Sequence, residues 1–527
     1  MLDIDGKKIV GDFMKFRIRL LLAALVCALP VACHSGQSGE DGGETGGTGQ
    51  PETPQPAVSD VVAYTTTADG RQLFSRSGFD FAKPGSMSPN QVRFEADASA
   101  KKIEGFGLAV TTASAYNLLK MTKEDRKAFL TELFSPTEGL GSSLIRVSIG
   151  ASDFCLKDEY TWCDEKGMEN FAVAAEDRDY LFPILKEIYS INPDVKIIGS
   201  PWSCPLWMKG GYYGYEGYDQ ATLEKDFPNW TSGRLKPSCY GAYASYFVEW
   251  IKTMKAQGFK IHAVTMQNEP LNHGNSMSMY MPWRDQKEFI KVLGPALEKA
   301  GLSDVKVLLF DHNYNYDDKS DQINYPLHIY ADKEAYEWAD GSAWHSYGGD
   351  VSELDNIAAA YPEKDIYFTE ASIGEWNYKF DFCLLNDFSS IFLGTLKRGG
   401  KGVTLWNLML DDKNGPYSPH NGSCKTCYGG VTISSSDYRT IKRNTHWYNV
   451  AHASAVVKPG AGMMKISGYE PPSGTEVQMF ANPDGTIGAL VCNKSSEDRK
   501  VVFGADSYTV NLNVPAKSIV SALWKDK

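Results

Sequence analysis

The stretch Ile261-His-Ala-Val-Thr-Met-Gln-Asn-Glu-Pro270 joins a short apolar run to a carboxylate at its end. Seven similar runs lie around it between residues 103 and 448, and seven of the eight lead into a segment that could be helical. The candidate strands are Ile103–Val110, Leu144–Ile149, Val195–Ser200, His262–Met266, Val305–Phe310, Ser342–Tyr347, Asp365–Thr369 and Gly402–Trp406. Apolar runs without strict alternation indicate parallel strands that are buried on both faces.

Helical spacing of apolar residues is clear in several segments between these runs. They are Lys123–Phe134, Asp179–Tyr189, Tyr243–Ala256, Gln286–Ala300 and Phe388–Lys397. Eight strand–helix units over residues 103–448 predict an α/β fold, a (β/α)8 TIM barrel. A doubly wound open sheet is the alternative. It usually carries a glycine-rich phosphate turn, and Gly105-Phe-Gly107 lacks the third glycine of that motif.

Both ends of the folded part have the pattern of β-strands. Residues 449–527 contain short alternating runs separated by turns such as Asn482-Pro-Asp-Gly485. The runs are Glu476–Phe480, Ile487–Cys492, Lys500–Phe503, Tyr508–Leu512 and Ile519–Trp524. Residues 59–102 add Val62–Thr66 and Val92–Glu95. We therefore expect a β-sandwich built from both ends of the chain and appended to the barrel.

The composition excludes some functions and suggests others. The 527 residues carry 53 Lys and Arg against 65 Asp and Glu, a net charge of −12, whereas nucleic-acid binders normally present a basic surface. The 12 Trp, 28 Tyr and 24 Phe residues form a heavy aromatic load. Such side chains either fill the core or offer flat faces that stack on sugars.

The first 33 residues have the organisation of a secretory signal. Basic residues from Lys15 to Arg19 precede the apolar run Leu20–Ala32, which is too short to span a bilayer and ends at Cys33. Met14 is the expected initiator. Residues 34–58 are rich in Gly, Ser, Glu, Thr and Pro, a composition typical of a flexible tether.

The end of the signal, Leu29-Pro-Val-Ala-Cys33, resembles a bacterial lipobox, in which the cysteine is lipidated after cleavage. Pro30 departs from that pattern, and an ordinary signal peptide is the alternative. We predict a lipid-anchored protein on the outer membrane, the cell surface or in the periplasm of a bacterium, whose only membrane contact is the anchor.

Two cysteine pairs could form local disulfides in an exported protein. Cys155 and Cys163 flank a short acidic loop, and Cys424 and Cys427 are separated by two residues in another loop. The alternative for Cys424 and Cys427 is half a metal site. No second pair and no His cluster with ligand spacing follows in the sequence, so we expect disulfides and no metal site.

Two glutamates stand at predicted strand ends, where barrel enzymes carry their reactive groups. Glu269 follows the fourth strand and Glu370 the seventh. A closed barrel would bring these strands to face each other, and two carboxyl groups about 5–5.5 Å apart are typical of a retaining glycosidase. We predict that Glu269 is the general acid/base and Glu370 the nucleophile; the alternative for either is a solvated loop residue.

Several predicted neighbours complete the candidate site. Arg146 at the second strand would keep Glu370 ionised, or would be only a structural ion-pair partner. Asn268 would bind the sugar 2-hydroxyl. His345 and Tyr347 at the sixth strand would hydrogen-bond the nucleophile or form an inert pair at the rim. Two tryptophans at strand ends, Trp202 and Trp406, would stack on sugar or fill the core.

These motifs, in this order, resemble glycoside hydrolase family 30 over residues 60–527. They are Gly105-Phe-Gly, Arg146-Val-Ser-Ile-Gly-Ala-Ser-Asp-Phe154, Ser200-Pro-Trp-Ser, Thr265-Met-Gln-Asn-Glu-Pro, Phe368-Thr-Glu, Leu405-Trp-Asn and His452-Ala-Ser-Ala-Val-Val-Lys-Pro-Gly460. The family contains glucosylceramidases, endo-β-1,6-glucanases and glucuronoxylanases, and it retains anomeric configuration. The chain departs from glucosylceramidases at Gly107-Leu-Ala-Val-Thr-Thr112, where they often carry an acidic residue.

The resemblance implies the same catalytic pair, Glu269 and Glu370. It also implies Asp153, Trp202, Asn268 and Trp406 as contacts to the sugar before the cleaved bond. The tether, the anchor and the loop Leu410-Asp-Asp-Lys-Asn-Gly-Pro416 look most like the bacterial β-1,6-glucanase branch.

We therefore expect a monomeric, cofactor-independent endo-β-1,6-glucanase that acts on β-glucan. An exo-acting β-glucosidase or glucosylceramidase-like enzyme is one alternative. A surface glycan-binding lipoprotein without catalysis is another, from a different class. Product analysis would separate the first alternative, and binding without product would identify the second.

Overall fold

The computed structural model describes residues 59–84, 90–211, 220–314, 321–420 and 422–527. The predicted signal segment, the lipidation site Cys33 and the tether over residues 34–58 lie outside these residues. Within the described residues, every helix is too short or too polar to cross a bilayer.

Eight parallel strands form the barrel, and each lies where an apolar run predicts it. They are β1 (Gly105–Leu108), β2 (Leu144–Ser148), β3 (Lys196–Ser200), β4 (Lys260–Thr265), β5 (Lys306–Asn313), β6 (Gly341–His345), β7 (Asp365–Glu370) and β8 (Gly400–Leu405). Hydrogen-bonded neighbours follow the order β2-β3-β4-β5-β6-β7-β8-β1. This is the predicted TIM barrel, not a doubly wound sheet, because β8 pairs with β1.

The remaining gap, between β1 and β2, is closed by a single parallel bridge, Ala109 to Arg146. The N–H of Val110 donates to the carbonyl of Arg146 at 2.9 Å. The two backbones approach closely beside Gly107, where an added Cβ would lie 2.0 Å from the carbonyl oxygen of Leu144. The glycine is required because only a residue without a side chain allows this approach.

Helices cover the outside of the barrel, and their starts follow ordinary capping rules. In the helix Lys123–Phe134, the side chain of Thr122 accepts the N–H of Asp125, and two acidic residues occupy the first turn. The other α-helices are Thr112–Lys120, Phe182–Ile191, Gln220–Leu223, Tyr240–Ala256, Trp283–Lys299, Tyr325–Tyr330, Lys333–Trp338, Glu353–Ala360, Phe380–Asp387, Gly394–Lys397 and Thr445–Val456. Two π-helical segments, Asp177–Leu181 and Phe388–Leu393, precede helices and account for the predicted helical spacing there.

The β-sandwich is built from both ends of the folded chain, as predicted. One sheet has the order Gly462–Met463, Thr475–Ala481, Thr486–Asn493, Ser518–Lys525, Val61–Thr67 and Ser75–Phe79. The other has the order Lys465–Ser467, Val92–Glu95, Arg499–Gly504 and Thr509–Val514. Their shared apolar core includes Val61, Met479, Phe503 and Trp524.

A buried histidine connects the barrel to this sandwich. His452 lies in the fully buried helix Thr445–Val456. One ring nitrogen is 2.8 Å from Oγ of Ser521 and the other is 2.8 Å from Oγ1 of Thr66, so the two chain ends meet on one side chain.

The predicted disulfides differ in outcome. Cys424 and Cys427 are joined. The prediction for Cys155 and Cys163 is wrong, because both are free thiols. Their sulfurs point to different turns: Cys155 is 3.4 Å from the carbonyl oxygen of Asp158, and Cys163 is 3.2 Å from that of Gly167.

Two short strand pairs and one three-stranded sheet lie outside the barrel and the sandwich among the described residues. They are Lys209–Gly210 with Arg234–Leu235, Ile373–Gly374 with Cys427–Tyr428, and Met409–Asp411 with Val431–Ile433 and Ile441–Arg443.

Candidate active site

A cleft of about 540 Å³ lies at the carboxyl ends of the barrel strands. Seven residues singled out from the sequence line it: Asp153, Trp202, Asn268, Glu269, Tyr347, Glu370 and Trp406. Arg146 and His345 are completely buried, and they contact the acidic residues at the base of the cleft. The structure thus brings together all nine predicted catalytic and sugar-binding residues, from six different strands or the loops that follow them.

The two predicted catalytic carboxyl groups face each other. Glu370 is the last residue of β7 and is only 6% exposed. Glu269 follows β4 in the left-handed conformation, with φ of 44°, and its N–H donates to the carbonyl of Asp311 at 2.9 Å. An oxygen of each carboxyl group and a ring nitrogen of His345 all lie within 4.8 Å of one another. A left-handed glutamate persists only where its surroundings hold it, which is common at functional sites.

Arg146 holds the base of the site together. Its guanidinium donates to Oε2 of Glu370 at 2.5 Å, to Oδ1 of Asn268 at 2.7 Å and to Oδ2 of Asp311 at 2.8 Å. The Glu370 carboxylate is thereby oriented by a charge-assisted hydrogen bond. Because Oδ1 of Asn268 is already bound, a sugar hydroxyl would meet the amide nitrogen of that residue.

Asp311 is a buried member of the site that the predictions from sequence did not include. It accepts hydrogen bonds from Arg146, from the hydroxyls of Thr265 (2.6 Å) and Thr369 (2.7 Å), and from His345 (3.1 Å). Burial opposes its charge, but Arg146 and His345 hold the pKa of Asp311 well below its usual range.

The position of Asp311 explains why it was missed. The predicted strand stops at Phe310, but β5 runs on to Asn313 through an irregularity at Asp311. Both Phe310 and Asp311 have positive φ, 70° and 69°. The signal that could have identified it is the rule applied to Glu269 and Glu370, an acidic residue where an apolar strand ends.

His345 and Tyr347 contact different carboxylates. Tyr347 donates from Oη to Oε1 of Glu370 at 2.9 Å, as predicted. The same prediction for His345 is incorrect, because β6 ends at this residue and directs its ring to Oδ1 of Asp311 (3.1 Å) and Oε1 of Glu269 (3.4 Å). Burial lowers the pKa of His345, but Glu370, Asp311 and Glu269 together raise it to about 9.

Charge and burial act differently on the two glutamates. Burial raises the pKa of Glu269, but the hydrogen bond with His345 and the charges of His312 and His345 lower it to about 2. Burial also has the largest effect on the pKa of Glu370. It leaves that pKa raised, although the positive charges of His345 and Arg146 lower it. At neutral pH the proton beside Glu269 therefore resides on His345 when the cleft is empty.

Two tryptophans form the inner wall of the cleft. The rings of Trp202 and Trp406 stack with centroids 5.1 Å apart and an interplanar angle of 28°. The Arg146 guanidinium lies 5.1 Å from one ring and 5.6 Å from the other. Both indoles are nearly buried, so each one packs in the core and also lines the cleft.

Asp153 lies in the loop after β2 and lines the same cleft. Burial, with added repulsion from Glu370 and Glu269, raises the pKa of Asp153 well above its ordinary value. A protonated carboxyl group can donate a hydrogen bond to a sugar oxygen, as an ionised one cannot.

The same groups have some features of a metal site. Among the described residues, Glu269, His345 and Glu370 place donor atoms close enough to share an ion. However, the Arg146 guanidinium already contacts Glu370, and a protonated His345 adds a second positive charge. Both would repel a cation at short range. The arrangement is better suited to proton transfer and nucleophilic attack.

Comparison with known proteins agrees with this chemistry. Residues 103–457 match the glycosyl hydrolase family 30 TIM-barrel domain, and residues 460–522 match the family 30 beta sandwich domain. Endo-1,6-beta-D-glucanase BGN16.3 of Trichoderma harzianum is 30% identical over 487 residues, which cover 88% of this chain and 94% of that protein. Putative glucosylceramidase 2 of Caenorhabditis elegans is 27% identical over 486 residues, covering 87% and 88%.

A solved structure is similar over nearly the same span. The endo-beta1,6-glucanase BT3312 superposes with a TM-score of 0.83 at 45% sequence identity, covering 89% of this chain and 100% of that chain.

A closed parallel barrel, a β-sandwich and paired carboxyl groups in an aromatic cleft define a glycoside hydrolase. The family model for the barrel matches more than half of the sequence. The chain belongs to glycoside hydrolase family 30.

Proposed function

We propose that this protein is a retaining endo-β-1,6-glucanase that cleaves β-1,6-linked glucan. The observation that carries the proposal is the approach of Glu269 and Glu370 to within 4.8 Å in a tryptophan-lined cleft. That separation is close to the 5–5.5 Å typical of retaining enzymes and leaves no room for the water that an inverting enzyme places between its carboxyl groups. The linkage is supported by the names of two relatives, one of them 45% identical.

In the first step, the ionised Glu370 attacks the anomeric carbon of a glucose unit bound beside Trp202 and Trp406. A carbon–oxygen bond forms to Glu370 while the glycosidic bond breaks, and Glu269 gives its proton to the departing oxygen. In the second step, Glu269 takes a proton from water, which attacks the same carbon and releases Glu370. Two inversions retain the configuration.

The contact between Glu269 and His345 supplies the proton for the first step. The pKa of His345 is raised to about 9 and that of Glu269 is lowered to about 2, so at neutral pH the proton that the two groups share lies on His345. Transfer from Nδ1 of His345 to Oε1 of Glu269 conserves the total charge and produces the acid that the step requires. Arg146 and Tyr347 remain on Glu370 and favour its ionised form.

Glu370→Gln and Glu269→Gln test these roles. Loss of the general acid should lower kcat about 10²–10⁴-fold, and loss of the nucleophile should lower it at least as much. The assay is release of reducing ends from β-1,6-glucan, with circular dichroism to verify folding. Glu298→Gln, a change in an exposed glutamate on the helix Trp283–Lys299 and outside the cleft lining, is the matched control. Unchanged turnover in Glu370→Gln would contradict the assignment.

Product analysis separates endo from exo action. An endo enzyme releases mixed oligosaccharides early, whereas a β-glucosidase or glucosylceramidase-like enzyme releases only glucose. A panel of β-1,6-, β-1,3- and β-1,4-glucans, xylan and a glucosyl lipid tests the linkage. Binding without any product would instead identify a glycan-binding protein.

We further propose that the chain is an exported monomer, anchored through a lipid on Cys33. The basic residues before Leu20–Ala32 and the lipobox-like sequence ending at Cys33 support this. In a bacterial host, Cys33→Ser should move the protein from the membrane fraction to the soluble fraction and prevent labelling with radioactive palmitate. Light scattering of the soluble part measures its oligomeric state.

A further inference from the structure

A tryptophan at the rim of the cleft has no part in the steps described above. Trp376 lines the same cavity as Glu269 and Glu370, and it is 55% exposed. Trp202 and Trp406 line that cavity too, but they are only 4% and 2% exposed. A single exposed aromatic residue elsewhere on a surface needs no explanation. This one presents its indole beside the reacting carboxyl groups.

The backbone beneath Trp376 is shaped to receive the indole. A Cβ on Gly374 would lie 2.0 Å from ring atom Cζ3 of Trp376 and 2.3 Å from the carbonyl oxygen of Thr426. The ring therefore packs against Gly374, whose strand Ile373–Gly374 pairs with Cys427–Tyr428. Burying one edge in this way fixes the orientation of the exposed part of the ring.

The loop that carries the disulfide supports the same strand pair. The N–H of Glu375 donates to the carbonyl of Thr426 at 2.9 Å. Thr426 lies between the two disulfide-bonded cysteines in the sequence. Asn414 donates from Nδ2 to Oε1 of Glu375 at 2.8 Å and to the carbonyl of Lys425 at 3.2 Å. Cys424 and Cys427 also line the cleft. The crosslink thus limits the movement of the strand on which Trp376 rests.

We propose that Trp376 is a stacking platform for a second glucose unit, next to the one attacked by Glu370, and that the Cys424–Cys427 loop positions it. This inference rests on the proposed glucanase function. Trp202 and Trp406 are nearly buried whereas Trp376 is exposed, so a glucan chain that continues from the inner unit towards solvent would cross the rim beside Trp376. The C–H face of glucose is apolar, and the negative face of an indole attracts it.

Trp376→Ala tests the platform with β-1,6-linked gluco-oligosaccharides of increasing length. We expect KM to rise about tenfold for oligosaccharides and polymer, the effect of losing one aromatic contact, while kcat changes less than about twofold. Trp376→Phe should retain most of the affinity. Phe382→Ala removes a comparably exposed aromatic side chain, 50% exposed and outside the cleft lining, and is the control.

A monosaccharide-sized inhibitor, deoxynojirimycin, distinguishes a lost subsite from a damaged site. It fills only the inner position, so its inhibition constant should be the same in wild type and Trp376→Ala. An unchanged KM for oligosaccharides, or a parallel rise in the inhibition constant, overturns the platform. A wild-type enzyme that releases nothing from β-1,6-glucan overturns the proposed function instead, and that result appears before any variant is made.

The positioning role of the disulfide is tested by a double-mutant cycle. Cys424→Ser combined with Cys427→Ser should raise KM in the wild-type background, in the same direction as Trp376→Ala. The double cysteine change should have little further effect on KM when Trp376 is already alanine, because both changes remove the same interaction between Trp376 and the glucan. Additive effects on KM would show that the loop acts independently of Trp376 and would overturn the positioning role.

Discussion

Arg146 makes it possible for three acidic side chains to share the base of one cleft. It contacts Glu370 and Asp311 directly, and all of its side chain is buried. Buried carboxylates without a partner would be protonated or destabilising. The arginine therefore has two effects, since it compensates the buried charge of Asp311 and favours the ionised form of Glu370.

Tyr347→Phe removes one hydroxyl that donates to Glu370. A hydrogen bond to a charged group is worth about 1.5–3 kcal/mol, so we expect kcat/KM to fall about 10- to 100-fold. Stability should hardly change, because the ring is 46% exposed. Steady-state kinetics and thermal unfolding measure the two effects.

Tyr336→Phe provides the matched control for this change. Its hydroxyl donates to Oε1 of Glu363 at 2.5 Å in an exposed position away from the cleft. Activity should equal that of the wild type. Equal losses in both variants would show that the Tyr347 hydroxyl has no specific role.

His345 links protonation to stability. Its pKa rises from 6.5 to about 9 in the folded protein, so its contribution is complete below pH 6.5 and disappears as the pH passes 9. At about 1.4 kcal/mol per pKa unit, roughly 3 kcal/mol should be lost across that interval. Urea unfolding at several pH values should show the difference between wild type and His345→Gln shrinking over this range. Parallel profiles would contradict the assignment.

At the residue scale, the sequence predicted site residues well where the rule that barrel enzymes carry reactive groups at strand ends could be applied directly. Arg146, Glu269 and Glu370 stand at or just after strands with regular apolar runs, so their meeting followed from barrel topology. Asp311 also stands directly after a predicted apolar run, so the same rule would have selected it. The apolar pattern does not record the two successive left-handed residues through which its strand continues. Trp376 was missed because its position at the cleft depends on the packing of its own ring against Gly374, which the sequence pattern does not show.

At the scale of the elements, the close approach of β1 to β2 depends on a single residue, Gly107. Gly107→Ala should lower the free energy of unfolding by about 3 kcal/mol or more, because the new methyl group would collide with the backbone of β2. Gly241→Ala, in the helix Tyr240–Ala256 where nothing lies within 4 Å of an added Cβ, is the control. It should change stability by less than about 1 kcal/mol. Equal effects in urea unfolding would refute the steric explanation.

The elements themselves were more predictable than their connections. Lys123–Phe134 was predicted with the bounds that the structure shows, because Thr122 and the acidic first turn mark its start. The disulfide between Cys155 and Cys163 was wrongly predicted, because spacing along a loop does not reveal the direction of a side chain. Those directions depend on packing, which places Cys155 beside Trp202 and Trp406 and Cys163 in the main core.

Across the whole molecule, His452 joins the barrel to both chain ends. Burial lowers its pKa from 6.5 to about 3, so this contribution to stability is complete above pH 6.5 and is lost as the pH falls towards 3. His452→Gln should remove that acid dependence and cost about 1–3 kcal/mol at neutral pH through the loss of buried hydrogen bonds. Calorimetry between pH 4 and 7 would measure the pH dependence of stability and the stability at neutral pH. If His452→Gln lost stability towards low pH as the wild type does, the role of His452 would be contradicted.

The pairing of Val61–Thr67 with Ser518–Lys525 has a consequence for biosynthesis. The ribosome releases the first strand long before its partner exists, and the entire barrel is made in between. The barrel strands can pair during translation, whereas this sheet must wait for the last residues of the chain. A protein truncated before Ser518 should therefore leave the ribosome with an unpaired strand edge along Val61–Thr67, open to proteases and to aggregation.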